Sequence, residues 1–526
     1  MRFSLLLLAG LAPTSIASSV DSTVKTSSGT VKGTARDLKG ILSFKGIPFA
    51  APPTGEYRWK APRPALPFNG THNANSYGPS CYNAFLDGTN LTPPSEDCLS
   101  LNIWTGASTA TEKRPVMIWI YGGGFEFGSS AKTAYDGTAL ACEGVIVVTF
   151  NYRVGVLGFL ALEELDEEGG QSGNFGLQDQ LAAIRWVKKN IASFGGDPDN
   201  ITIWGESAGA HSVGILMASP LSNGLFHKAI MESGSYWDSE HGSLRTYSEA
   251  RLQGASFEAK LGVKSVHQLR ALSADIVNNA APWNESTDPG ITAFAPSIDK
   301  YVIPDYPGKI FDLGQTQKVP LLAGFNAGED LAFLPRALPH SNPTQFRDSA
   351  EVLFGNRVSE FLQLYLTDTQ LQVNESADIL VGDLVISEQT FEAIDRQARA
   401  SGQKVHAYYY NYTSPYSPAP AHSAEVAFVF GNLVPSNAAS STASAADKAF
   451  SKKLRTLWTN FAKTGDPNGH GLPQWPQYIG KGADFMVIGN TIGAIENPRL
   501  DQLDFIKSFR AEGALPSSWR HDFVDN

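Results

Sequence analysis

Cysteine is scarce in this chain: Cys81, Cys98 and Cys142 are the only three among 526 residues. Three scattered thiols do not make a zinc site, which needs a full set of closely spaced ligands, and no metal or other cofactor is expected. Concentrated positive charge is missing too. The formal net charge is −11 and no long run of Lys or Arg occurs. A nucleic acid is therefore excluded as a partner, because a binding face must cluster cations to displace counterions. The acidity itself reads as a solubility feature. Beyond the N-terminus, no stretch reaches the ~18 uninterrupted apolar residues of a membrane span. There is no G-x-x-x-x-G-K-[ST] phosphate loop, no internal repeat and no clear linker.

Apolar residues are plentiful, at 42% of the chain, with aromatics at 11%. That is enough to bury a large core and to exclude wholesale disorder. Length alone would suggest about three domains. At the N-terminus, Arg2 precedes the apolar run Leu5 to Ala12, and the small residues Ser15 and Ala17 follow. This pattern reads as a secretory signal peptide, residues 1–17, cleaved after Ala17, and predicts a secreted, extracellular protein. Six Asn-X-Ser/Thr sequons, at Asn69, Asn90, Asn200, Asn284, Asn374 and Asn411, are candidate glycan sites in that compartment. An oxidising compartment also permits one disulfide. Cys81–Cys98 is the favoured pairing, because it closes a short loop rich in Pro, Gly and Asn. Cys142, beside the run Val145 to Val148, is expected to be a buried small hydrophobe.

Short runs rich in Val and Ile recur: Val116 to Tyr121, Val145 to Phe150, Ile201 to Trp204, Ala229 to Met231 and Pro320 to Gly324. Such runs suit central strands buried on both faces. Helical spacing falls between them, most clearly in Leu177 to Phe194, where Gly195-Gly196-Asp197-Pro198 ends the pattern. Ala208 to Met217 and Lys448 to Phe461 also read as helices. The alternation predicts an α/β fold with a mostly parallel sheet covered by helices, preceded by short antiparallel strands between Gly29 and Trp104. Tyr247 to Asn284 and Pro335 to Arg399 read as helical insertions that build the walls of a site. Ala438 to Ala446 reads as a low-complexity surface loop.

The segment Ile201-Thr202-Ile203-Trp204-Gly205-Glu206-Ser207-Ala208-Gly209 is a G-x-S-x-G motif between a strand and a helix pattern, the context a nucleophile elbow requires. Ser207 is the expected nucleophile, on a turn so sharp that its neighbours two before and two after, Gly205 and Gly209, must be small. Upstream, Gly122-Gly123-Gly124-Phe125 follows a strand. Attack by a serine creates an oxyanion that needs preorganised N–H donors, and glycines let backbone amides approach it. The expected donors are the amides of Gly123, Gly124 and Ala208.

Together with Glu96-Asp97-Cys98-Leu99-Ser100-Leu101-Asn102 and Asn151-Tyr152-Arg153, these motifs resemble the type B carboxylesterase family, which includes cholinesterases and fungal lipases. The resemblance runs from about Gly29 to Tyr478. It implies one α/β-hydrolase domain over 18–526, a serine esterase activity with no cofactor, and a small-molecule ester as partner. In such folds the triad follows the order Ser, acid, His. His422 lies on a loop after the pattern Ala407 to Tyr412, and His422-Ser423-Ala424-Glu425 resembles the family's histidine segment, so His422 is the expected base. The acid should follow the strand Pro320 to Gly324. Glu329 matches the family position, but Asp330 stands where the family usually has glycine, which leaves Asp330 as the main rival and Asp299 as a more distant one. Arg58 with Glu96, and Arg153 with Asp179, match structural ion pairs. Glu206 reads as buried support, and Ser233 as a residue behind the site.

The resemblance also bears on substrate. In cholinesterase-like relatives the first disulfide loop carries an aromatic residue for a quaternary ammonium. Here positions 82 to 97 hold no Trp, which argues against choline esters. The loop is also too short for a lipase lid, favouring a soluble esterase. Phe125, Phe127, Tyr236 and Trp237 are expected to line an apolar pocket. Two other readings stay open: an acyltransferase using the same triad, and a non-catalytic cholinesterase-like binding protein.

Overall fold

The computed structural model describes residues 19–83, 92–236, 244–281, 294–329, 337–433 and 442–512. The signal-peptide segment, Asn90, Asn284, Trp237 and Asp330 lie outside them.

A ten-stranded sheet forms the spine. In chain order its strands are β1 (Leu42–Pro48), β2 (Ser100–Thr105), β3 (Arg114–Ile120), β4 (Ile146–Phe150), β5 (Gly196–Glu206), β6 (Lys228–Glu232), β7 (Leu321–Asn326), β8 (Val405–Tyr410), β9 (Asp484–Ile488) and β10 (Ile492–Glu496). The spatial order is β1-β2-β4-β3-β5-β6-β7-β8-β9-β10. Every ladder from β4 to β9 is parallel. The antiparallel ladders lie at the two edges. The central strands read as continuous apolar runs because helices cover both faces: Val116 to Ile120 and all of β4 are fully buried. The expected mostly parallel α/β sheet is the one observed, and early antiparallel strands are present at the sheet edge and in a small sheet in which Gly29–Lys32 pairs antiparallel with Thr23–Thr26 and parallel with Thr71–Asn73.

The helices follow from their caps. Phe175–Asn190 runs into a short 3-10 turn that stops at Gly195, whose φ of 83° suits glycine. Ala445–Thr464 extends past the expected Lys448 to Phe461 at both ends. Ser444 and Asp447 form a capping box at its start, and Gly465 closes it with φ 76°. Of the expected loop Ala438 to Ala446, positions 438–441 lie outside the described residues, and Ala445 and Ala446 belong to this helix. The first insertion folds as Tyr247–Lys260, Val266–Ala271 and Ala274–Ala280. The second folds as Pro343–Phe354, Val358–Leu364, Gln370–Gly382 and Glu388–Ala400, with a π-turn at Asp383–Ser387. Much of it closes over an apolar cluster of its own, in which Phe346, Phe354, Phe361 and Leu380 meet Phe505 and Phe509 of the helix Leu500–Ala511.

A disulfide joins Cys81 to Cys98. Cys142 is exposed, contrary to expectation. It caps the end of a four-residue helix, Thr138–Ala141, three positions before the buried run that begins at Val145. Among the described residues no helix is long and apolar enough to cross a membrane, and no group of three or more His, Cys, Asp or Glu could hold a metal ion.

Candidate active site

Strand β5 carries Glu206 to the sheet edge, and Ser207 turns the chain into the helix Ala208–Ala218 with φ 56° and ψ −126°. A side chain at positive φ costs on the order of 1–3 kcal/mol, so the turn must be held from outside. Ser207 N–H donates to the Glu232 carbonyl at 3.0 Å, and its own carbonyl accepts from His211 N–H at 2.9 Å. Packing leaves no alternative. A Cβ at Gly209 would stand 2.0 Å from Ile120 O, and one at Gly205 would stand 2.5 Å from the Gly209 carbonyl carbon.

The glycine loop after β3 lies against this turn: a Cβ at Gly122 would stand 2.9 Å from that of Ser207. Gly123 and Gly124 have φ of 111° and 62°. The Gly123 carbonyl accepts from Glu126 N–H and Phe127 N–H at 3.0 and 3.1 Å, curling the loop. Among the described residues the N–H groups of Gly123, Gly124 and Ala208 have no backbone acceptor.

Two loops from the other side complete the site. Glu329 follows β7 and is 2% exposed. Its Oε2 lies 2.6 Å from His422 Nδ1, and its Oε1 accepts from Asn326 N–H at 2.6 Å. Gly382, the last residue of its helix, packs on this acid: a Cβ there would stand 2.6 Å from Glu329 Cβ. His422 Nε2 lies 3.1 Å from Glu206 Oε1, but without the alignment of a hydrogen bond. The Ser423 hydroxyl donates to the same Glu206 oxygen. The structure thus joins Glu329 to His422 and sets the imidazole against Glu206, the residue before Ser207; among the described residues the Ser207 hydroxyl is not itself hydrogen-bonded to the imidazole.

Four carboxyls converge here. Burial alone would lower the His422 pKa, but Glu206 and then Glu329 overcome it and raise it to about 9. Burial raises Glu206, against the opposing pull of His422 and Ser423. Burial likewise raises Glu425 to about 8, reinforced by Glu206 and Glu329, and lifts Glu232 well above the carboxylate range, reinforced by Glu425. Trp458 Nε1 donates to Glu232 at 2.6 Å. Perturbed carboxyls around one imidazole are the electrostatic signature of a reactive site.

The remaining expected residues divide. Glu206 is buried, as expected, but it faces the imidazole rather than only the scaffold. Phe125 and Tyr236 are fully buried: Phe125 packs edge-on to Phe159, and the Tyr236 hydroxyl accepts from Arg396. Phe127 is half-buried. Asp299 caps a turn, accepting from the N–H groups of Tyr301, Val302 and Ile303. His406 is sealed between Phe461 and Trp475, and His227 accepts from Ile201 N–H. Both ion pairs form as bidentate contacts, Arg58 with Glu96 and Arg153 with Asp179. Ser233 is buried at φ 53° behind the Ser207 turn. Asn69, Asn374 and Asn411 are exposed. Asn200 is not free for a glycan, because its amide donates to Lys463 O and its oxygen accepts from Lys228. Sequence reasoning missed Asn326 and the depth of Glu425. A polar residue ending a buried strand was the available signal for Asn326.

Comparison with known proteins follows this geometry. The model of the carboxylesterase family matches residues 20–506. A fumonisin B1 esterase of Sphingopyxis macrogoltabida is 35% identical over 485 residues, covering 90% of this chain and 87% of its own. A para-nitrobenzyl esterase of Bacillus subtilis is 36% identical over 494 residues, covering 90% and 96%. Among solved structures, a PNB esterase superposes with a TM-score of 0.77 at 32% identity, covering 92% of this chain and 99% of its own.

Proposed function

The chain belongs to the carboxylesterase family and is a carboxylic ester hydrolase; on that premise we propose that it is an exported serine esterase working through Ser207, His422 and Glu329. The observation that carries this reading is the 2.6 Å contact between Glu329 and His422 Nδ1 beside the strained Ser207 turn. With Nδ1–H directed at Glu329, the lone pair of Nε2 is the one left to act as base.

The mechanism follows. His422 Nε2 takes the Ser207 proton as Oγ attacks the ester carbonyl, and the amides of Gly123, Gly124 and Ala208 hold the oxyanion. His422 then gives that proton to the leaving alcohol, which departs from an acyl-Ser207 ester. Water then attacks the acyl carbonyl as His422 takes its proton, and His422 returns that proton to Ser207 Oγ as the Oγ–carbonyl bond breaks and the acid leaves. The contact between Ser207 and His422 tightens on substrate arrival, as is common for catalytic hydrogen bonds. Glu206, against Nε2, stabilises the imidazolium of each step.

The named relatives act on fumonisin B1 and para-nitrobenzyl esters. For this chain the short Cys81–Cys98 loop without Trp supports a soluble esterase for uncharged esters over a lipase or a choline esterase. Export would bring cleavage after Ala17 and glycans at Asn69, Asn374 or Asn411. The test is hydrolysis of p-nitrophenyl esters of increasing chain length, by the exported protein and by Ser207→Ala. Activity strongest on short chains and absent from the variant supports the reading. Activity surviving in the variant overturns the nucleophile. Mass spectrometry of the exported protein checks the new N-terminus at Ser18.

A further inference from the structure

The acid and the base stand on separate loops, 93 positions apart, yet the hydrogen bond between them tolerates only a few tenths of an ångström of error. One side chain spans the gap. Asn326, the last residue of β7, is 2% exposed. Its backbone N–H donates to Glu329 Oε1 at 2.6 Å. Its side-chain Nδ2 donates twice, to the carbonyl of Ala421 at 2.9 Å and to Glu425 Oε2 at 2.5 Å. Ala421 immediately precedes His422, and Glu425 lies three residues after it. A backbone bond from Gly328 N–H to Pro420 O at 3.0 Å runs alongside.

We propose that Asn326 is a positioning residue, a buried amide that clamps the Glu329 loop and the His422 loop in register so that acid and base act as one unit. The proposal rests on the triad reading above and extends it to a residue that touches neither substrate nor imidazole. The chemistry selects an amide. Only a planar NH2 group offers two donors diverging toward a carbonyl and a carboxylate, while the backbone of the same residue binds the acid. An aspartate there would offer acceptors to two acceptors. Asn326 Oδ1 is buried with no hydrogen-bond partner, so the side chain is held for what its nitrogen does. Without the clamp, Glu425, whose carboxyl is raised by burial and by Glu206 and Glu329, loses its amide donor, and the His422 loop loses its tie to β7.

The experiment compares Asn326→Ala and Asn326→Leu with Asn432→Ala. Asn432 ties two loops in the same manner, donating to Ala134 O and Asp136 O at 2.9 and 2.7 Å, but it touches neither acid nor base. We expect kcat for a p-nitrophenyl ester to fall by about 10²-fold in both Asn326 variants, the loss typical of a misplaced catalytic group, with KM within about threefold. The groups that face His422 are Glu206, Glu329 and Glu425. Loosening its contact with Glu329 should move the pH limb of kcat/KM downward in the Asn326 variants and leave it in place in Asn432→Ala. A pH limb unmoved in folded Asn326→Leu, or moved equally by Asn432→Ala, overturns the clamp. Should Asn326→Ala not fold, Asn326→Leu, of similar size and uncharged, carries the test. Ser207→Ala and His422→Ala run in parallel. If either keeps full activity, the triad reading has failed, an outcome distinct from failure of the clamp alone.

Discussion

Around Ser207 the geometry is set by backbone, whereas around His422 it is set by side chains. The first half is a strand, one residue at positive φ, a helix start and a glycine loop, and its tolerances come from contacts such as Gly209 against Ile120 O. The second half is a relay of carboxyls and amides drawn from β5, β6, β7 and the loop after β8. Backbone geometry is either present or lost. Side-chain electrostatics can be tuned, one charge at a time.

That contrast can be broken or sharpened by substitution, in decreasing order of expected effect. Ser207→Ala removes the attacking atom and should lower kcat by about 10⁶-fold; a residue of activity near the wild-type level would dissolve the comparison. Glu329→Gln keeps the shape of the acid but removes its charge and permits the wrong imidazole tautomer, so kcat should fall by roughly 10⁴-fold. Gly123→Ala tests the backbone half. Its φ of 111° is hostile to a side chain, and its Cβ would stand 2.4 Å from Phe127 O. Displacing one oxyanion donor should lower kcat by about 10²–10³-fold at every pH. Glu206→Gln should have the smallest effect, roughly tenfold on the alkaline plateau of kcat/KM, the scale of one charged contact. Its direction with pH is the sharper readout. His422 must be neutral to act as base and is held protonated up to about 9, chiefly by Glu206 against the effect of burial. The activity limb therefore rises toward alkaline pH, and removing Glu206 should move it to lower pH. A limb that moves in Gly123→Ala but not in Glu206→Gln would reverse the assignment of the two halves.

The same division explains what the sequence makes legible. Ile201 to Gly209 is contiguous, so strand, turn and helix start can be read together, and Gly205 and Gly209 declare the close packing. The strands β3 to β7 are legible because burial on both faces leaves unbroken apolar runs. Glu329 and His422 are legible by order and resemblance, whereas the contact between them crosses 93 positions. Nothing periodic marks Asn326, whose bonds reach Ala421 and Glu425, or Glu206, which takes the hydroxyl of Ser423 from 217 positions away. Aromatic residues near the motif misled for a related reason. Phe125 and Tyr236 have the composition of a pocket wall but the burial of a core, and composition does not encode which side of a loop faces solvent. Cys142 shows the reverse error, since a helix end exposed what its neighbours in sequence bury.

The second insertion closes much of its apolar surface against the helix Leu500–Ala511 rather than against the sheet. Substitutions within residues 337–381 are therefore expected to disturb that cluster more than the sheet that carries Ser207. That separation ends at Gly382. At Gly382 any side chain would press directly on Glu329. A combinatorial library over residues 337–381 that holds Gly382 constant should yield many more active members than one that lets that position vary.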